Sequence, residues 1–225
     1  MAGFYERVVP KPEEPKVLAP EPGMPKFHLS EAEIDGILML RLLSRRPFLR
    51  YGELTRVLEL TPAKGDRARA WMVNSGFVKK AHSITLRRGK PGIYFELTDR
   101  AYKKFGGELP PGKGGFEHKC HSHAIRNSQE EQGFETRIEG VVDGKAFDVL
   151  AWKKGDGMFG FEVTLHLQNL VQNLREGLRT SVKKIVVVCS NKDELERARS
   201  KAREELMDLS RVEFRTIFEF TTKKK

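Results

Sequence analysis

The 225-residue chain has only 2 cysteines, Cys120 and Cys189, so no disulfide framework is implied and a reducing cytoplasm is the expected location. Long apolar runs are missing as well. None approaches the ~20 residues of a membrane-spanning helix, so no membrane partner is expected. The opening MAGFYERVVPKPEEPK lacks the apolar stretch of a secretory signal. Acidic residues are in deficit, 31 against 41 basic ones, and the formal net charge of +10 suits a polyanionic partner. At 39% hydrophobic and 32% charged, the composition is that of a globular protein with one or two domains.

The charge is unevenly spread. Residues 1–27 hold 4 basic and 4 acidic residues, 28–105 hold 16 and 8, and 106–225 hold 21 and 19. The excess therefore sits in the middle segment. A solvated face would account for a few of these charges, but a two-to-one bias in one segment fits nucleic acid better.

Residues 1–27 repeat proline and have no apolar period, so they read as an extended or disordered tail. A second break, GGELPPGKGG at 106–115, reads as a linker between domains at 28–105 and 116–222. In the first domain, Ser30 and Glu33 match a capping box, and Ile34, Ile37, Leu38 and Met39 suggest a helix with an apolar face. A short helix follows, with Leu54, Val57 and Leu58 at helical spacing, and then a third opened by Pro62 and stopped at Gly76. Three short strands, FVKK, SITLRRG and GIYFELT, with the basic turn RRGKPG between the last two, and a helix after Thr98 complete the segment.

Three helices, a basic hairpin and a last helix resemble the winged helix-turn-helix family over roughly residues 28–105. The resemblance implies DNA as partner. The third helix would enter the major groove with Lys64, Arg67 and Arg69, and the wing would offer Arg87, Arg88 and Lys90 to phosphates. A winged helix used only for protein docking is the plainer alternative.

The second domain reads helix, three strands, helix, strand, helix, strand. The expected class is α/β (α+β), with a mixed β-sheet flanked by helices. KAFDVLAW and GMFGFEVTL are two of its strands, each carrying one carboxylate, Asp148 and Glu162, in an apolar setting where a lone charge is costly. The alternative is a pair of solvated strand carboxylates.

This order and carboxylate placement resemble the PD-(D/E)xK, restriction-endonuclease-like superfamily over roughly residues 112–220. GGFEH also looks like a GGxxH opening found in some nuclease-like domains. The resemblance implies phosphodiester cleavage with Mg²⁺ or Mn²⁺. Glu117 would match the family's helix glutamate, Asp148 its aspartate and Glu162 its E-x-K glutamate, and Asp148, Glu162 and the Val163 carbonyl would ligate the metal. The family's lysine is absent, because Thr164 stands in its place. Lys145, Lys153 and Lys154 are candidates for a displaced cation, and Gln168 or Gln172 for placing water or phosphate.

HKCHSH at 118–123 suggests zinc, but on one helix Cys120 points away from His118 and His121, so four ligands could not converge. Two functions stay open. One is a metal-dependent deoxyribonuclease. The other is an inactive DNA-binding accessory or regulatory factor that uses the nuclease-like fold to form a homodimer or to dock a partner from a mobile element or phage.

Overall fold

The computed structural model describes residues 29–86 and 89–221. The expected tail at 1–27 lies outside the described residues, as do Arg87 and Arg88. The fold is α+β. Helices α1 (Glu31–Arg45), α2 (Tyr51–Val57) and α3 (Pro62–Asn74) precede the antiparallel pair β1 (Val78–Ile84) and β2 (Gly92–Leu97), and then α4 (Asp99–Phe105). After them come α5 (Phe116–Glu131), β3 (Glu135–Val142), β4 (Lys145–Lys153) and β5 (Gly157–Thr164). The chain ends with α6 (Leu170–Leu178), β6 (Lys184–Cys189), α7 (Lys192–Glu205), β7 (Val212–Thr216) and the short α8 (Phe218–Thr221).

Local chemistry sets several boundaries. Thr61 accepts the N–H of Lys64 and opens α3 with Pro62 behind it, and Thr98 does the same for α4 through Ala101. The buried face of α1 differs from the expected one. It consists of Gly36, Met39, Leu40 and Leu43, whereas Ile34 and Leu38 are 46% and 40% exposed. The cause is a close crossing of α1 and α3. A Cβ on Gly36 would lie 2.3 Å from Cε3 of Trp71, so only glycine lets Trp71 rest there.

The five-stranded sheet runs β3-β4-β5-β6-β7, antiparallel from β3 to β5 and parallel from β5 to β7. Both faces are covered, as parallel strands require. Along β6, Val186 and Val188 pack with Phe116, Cys120 and Ile125 of α5 and Phe220 of α8, while Ile185, Val187 and Cys189 pack with Leu174 of α6 and Leu195 and Ala198 of α7. This two-residue alternation makes three layers from one strand sequence.

The α1–α4 segment has its own core, including Met39, Leu43, Met72 and Phe95. It also shares one with the sheet: Ile84, Leu86 and Tyr94 belong to the cluster of Phe116 and Val149. His82 stacks on Phe116 at 4.5 Å, and Phe48 packs on both Phe116 and His123. The segment between α4 and α5 is tied down, with Lys119 Nζ donating to the Pro110 carbonyl at 3.3 Å. Among the described residues no helix is long and apolar enough to cross a membrane.

Candidate active site

A tight Asp143-Gly144 turn joins β3 to β4, both residues at positive φ, with Val142 and Lys145 as the closing pair. The pairs Ile138–Val149 and Gly140–Phe147 flank Glu139 and Asp148, which therefore stand opposite each other. The β4–β5 register ends at Val149–Phe161, and Asp148 and Glu162 follow that pair on the two strands, with Asp148 bonded to the N–H of Val163, the residue after Glu162. Glu139, Asp148 and Glu162 all line a cleft of about 490 Å³.

Asp148 is held from two sides. Its Oδ2 accepts the Val163 N–H at 2.7 Å and lies 3.2 Å from His118 Nε2. His118 is carried by the first turn of α5, where Gly114 at φ +79 allows close approach, since a Cβ there would lie 3.1 Å from the imidazole. Burial alone would lower the His118 pKa. The bond to Asp148 and the charges of Asp148, Glu139 and Glu162 more than reverse this and raise it, favouring the imidazolium.

Glu162 is nearly inaccessible, its side chain 5% exposed. Its Oε2 accepts from Asn173 Nδ2 at 3.2 Å. Lys145 Nζ stands 3.0 Å from Oε1 as an ion pair, yet Oε1 has no directed hydrogen-bond partner. Burial first, and then the Asp148 charge, push the Glu162 carboxyl up to about 7 against the opposing pull of Lys145 and His118. One ammonium does not offset two carboxylates in so dry a place.

The cleft is rich in carboxyl groups. Its lining holds five carboxyl side chains, Glu139, Asp143, Asp148, Glu162 and Glu176, against three cations, Lys113, Lys145 and Arg179, an excess that the raised Glu162 carboxyl and the His118 imidazolium beside Asp148 reduce.

Of the three candidate displaced lysines, Lys145 alone reaches the carboxylates. Lys153 sits at the far end of the hairpin, donating to the Gln132 carbonyl and 4.0 Å from Asp156, and Lys154 is exposed. Thr164 is buried opposite Cys189. Glu117 is exposed and does not line the cleft, and its neighbour His118 occupies the helix position facing Asp148. Gln168 is exposed on the 3-10 turn Leu167–Asn169, and Gln172 donates to Glu176 at 2.6 Å. Asn173, the next residue, is the one that meets Glu162.

In HKCHSH, Cys120 and His121 are buried and His123 packs on Phe48. Among the described residues no three His, Cys, Asp or Glu side chains converge as a metal-binding group. The donor set at Asp148 and Glu162 is two carboxylates and, beside them, the backbone of Val163.

On α3, Lys64 lies 3.5 Å and Arg67 4.0 Å from Glu31, and Arg69 lies 3.8 Å from Asp66 while covering the Tyr51 ring. Lys90 is exposed. No family model, curated protein or solved structure matches the chain.

Proposed function

We propose that this chain binds DNA and cuts its phosphodiester backbone with a divalent cation, Mg²⁺ or Mn²⁺, at Asp148 and Glu162. The observation that carries the reading is the buried ion pair at 3.0 Å between Lys145 and Glu162, directly beside Asp148. It puts a positive charge at the carboxylate pair although Thr164 stands where the family has lysine.

A metal ion suits these residues. Glu162 Oε1 is buried with no directed hydrogen bond, its charged neighbour being Lys145 at 3.0 Å, and carboxyl side chains outnumber basic ones in the cleft. Asp148, Glu162 and the Val163 carbonyl would hold the ion, with waters completing the shell, as Mg²⁺ prefers. When bound, such an ion polarises the phosphate and lowers the pKa of the attacking water.

The chain's own groups supply the rest. Lys145 offsets charge that develops on the phosphate oxygens. His118 fixes the orientation of Asp148 through its Nε2, and Asn173 fixes that of Glu162. Lys64, Arg67 and Arg69 on α3, with Lys90 on the hairpin, supply duplex affinity through phosphates. Their ion pairs with Glu31 and Asp66 are exposed and cost little to exchange.

The test is cleavage of supercoiled plasmid and of branched and single-stranded DNA, with Mg²⁺ or Mn²⁺. Metal-dependent cutting that disappears in Asp148→Ala and in Glu162→Ala supports the reading. DNA binding without cutting, equal in all three proteins, overturns it in favour of a DNA-binding accessory factor.

A further inference from the structure

Two cations of the cleft have no carboxylate partner among the described residues. Lys113 comes from the segment ahead of α5, and Arg179 from the end of α6. Helices α5 and α6 cover opposite faces of the sheet, so the two cations reach the cleft from different layers. Lys145, the third cation there, is already engaged with Glu162.

Lys113 is also held in place, at a cost. Its backbone N–H donates to Glu139 Oε1 at 2.9 Å. Glu139 adopts φ +52, a left-handed conformation unfavourable for a residue with a side chain, and it does so opposite Asp148, where a second carboxylate is repelled. The Glu139 carboxylate, held as the acceptor for the Lys113 N–H, straps the segment that carries Lys113.

We propose that Lys113 and Arg179 bind two backbone phosphates of one nucleic-acid strand across the carboxylate pair, with Glu139 a positioning residue for Lys113. The proposal rests on the nuclease reading, for which it supplies the substrate contacts. A strand entering a cleft whose carboxyl side chains outnumber its basic ones needs cations free to pair with it. Lys113 and Arg179 meet that need without breaking an existing ion pair.

The test uses the full chain and fluorescein-labelled single-stranded and duplex oligonucleotides, with Ca²⁺ in place of Mg²⁺. The slope of log affinity against log salt concentration is measured for wild type, Lys113→Ala, Arg179→Ala and the double variant. Each loss of a phosphate contact flattens the slope by about 0.7–0.9, and the double variant by about twice that. Lys192→Ala, an exposed cation on α7, keeps the wild-type slope. Glu139→Gln and Glu139→Ala remove the same charge, but only the alanine removes the acceptor for the Lys113 N–H. Glu139→Ala therefore flattens the slope as Lys113→Ala does, while Glu139→Gln does not.

Wild-type slopes in both Lys113→Ala and Arg179→Ala overturn the clamp. If Asp148→Ala abolishes metal-dependent cutting in the same series, the nuclease reading survives that failure. Flattened slopes with no metal-dependent cutting in any protein do the reverse: the phosphate clamp stands and hydrolysis falls.

Discussion

Lys145 opens β4 and Glu162 lies near the end of β5, and the two side chains meet at 3.0 Å at one end of the sheet. If this ammonium does the work of the family's lysine, Lys145→Ala lowers the cleavage rate by about 10²–10³-fold, the usual cost of removing one preorganised charge from a reacting centre. Residue 164 is two positions from Glu162 on the same strand and so shares its side of β5. Lys145→Ala combined with Thr164→Lys therefore recovers part of the lost rate. Single-turnover cleavage of a labelled duplex measures both. An undiminished rate in Lys145→Ala would assign the role elsewhere.

The reasons why some of the site was legible in the sequence and some was not are physical. Two apolar strands around a glycine-bearing turn can pair in few ways, and that pairing alone makes Asp148 and Glu162 neighbours. Lys145 was one of three candidates because hairpin geometry puts the strand start and the turn at opposite ends without saying which end holds the site. The helix residue was harder. Glu117 and His118 differ by about 100° around α5, and that phase is set by Phe116 and Cys120 entering a core assembled from distant segments. The face of α1 depended in the same way on Trp71 meeting Gly36, a contact with no local signal. Lys113, Arg179 and Asn173 become site residues only once β3, α5 and α6 close around one cleft.

Glu162 makes the metal-free protein sensitive to alkali. Its carboxyl moves from an ordinary value of 4.5 up to about 7, chiefly because it is buried. The folded state binds this proton more tightly than the unfolded state does. The stabilisation is complete below pH 4.5 and is lost as pH rises through 7, by about 3 kcal/mol in total. In EDTA, Glu162→Gln removes this slope. Urea melts of both proteins from pH 5 to 8 would show it. Parallel pH profiles would mean that the carboxylate is not held in so dry a site.

His121 acts at the other end of the pH range. It is completely buried with neither ring nitrogen bonded, and burial, followed by the nearby His118, lowers its pKa to about 4. Here the unfolded state takes the proton first. Stability is complete above pH 6.5 and falls as pH drops toward 4, by about 3 kcal/mol. His121→Leu, of similar bulk and apolar, flattens this acid limb without changing the alkaline one. An unchanged acid limb would show that His121 finds a proton partner in solution.

Phe116 couples the two halves of the chain. It stacks on His82 of β1, packs on Phe48 ahead of α2, and belongs to the cluster that reaches Val186 and Val188 of the sheet. Because α1–α4 and the sheet share this cluster, calorimetry should record one unfolding transition for both. Phe116→Ala lowers stability by about 3–5 kcal/mol, as truncating a buried aromatic does. It also separates the melting of the helical segment from that of the sheet. Two transitions already present in wild type would mean that the shared packing is too weak to couple them.

Glu31, in the first turn of α1, lies within 4.0 Å of both Lys64 and Arg67 on α3. These pairs are exposed, so each is worth little to the fold, but together they place a negative charge among the cations proposed to meet DNA. Glu31→Gln leaves the melting temperature nearly unchanged and frees both side chains for phosphate. Affinity for a duplex should rise by about 3–10-fold at low salt, and the gain should shrink above roughly 0.3 M salt as screening removes it. Fluorescence anisotropy across a salt series reads this directly. If Glu31→Gln binds DNA no better than wild type at any salt while Lys90→Ala binds less well, the hairpin and not α3 carries the duplex contact.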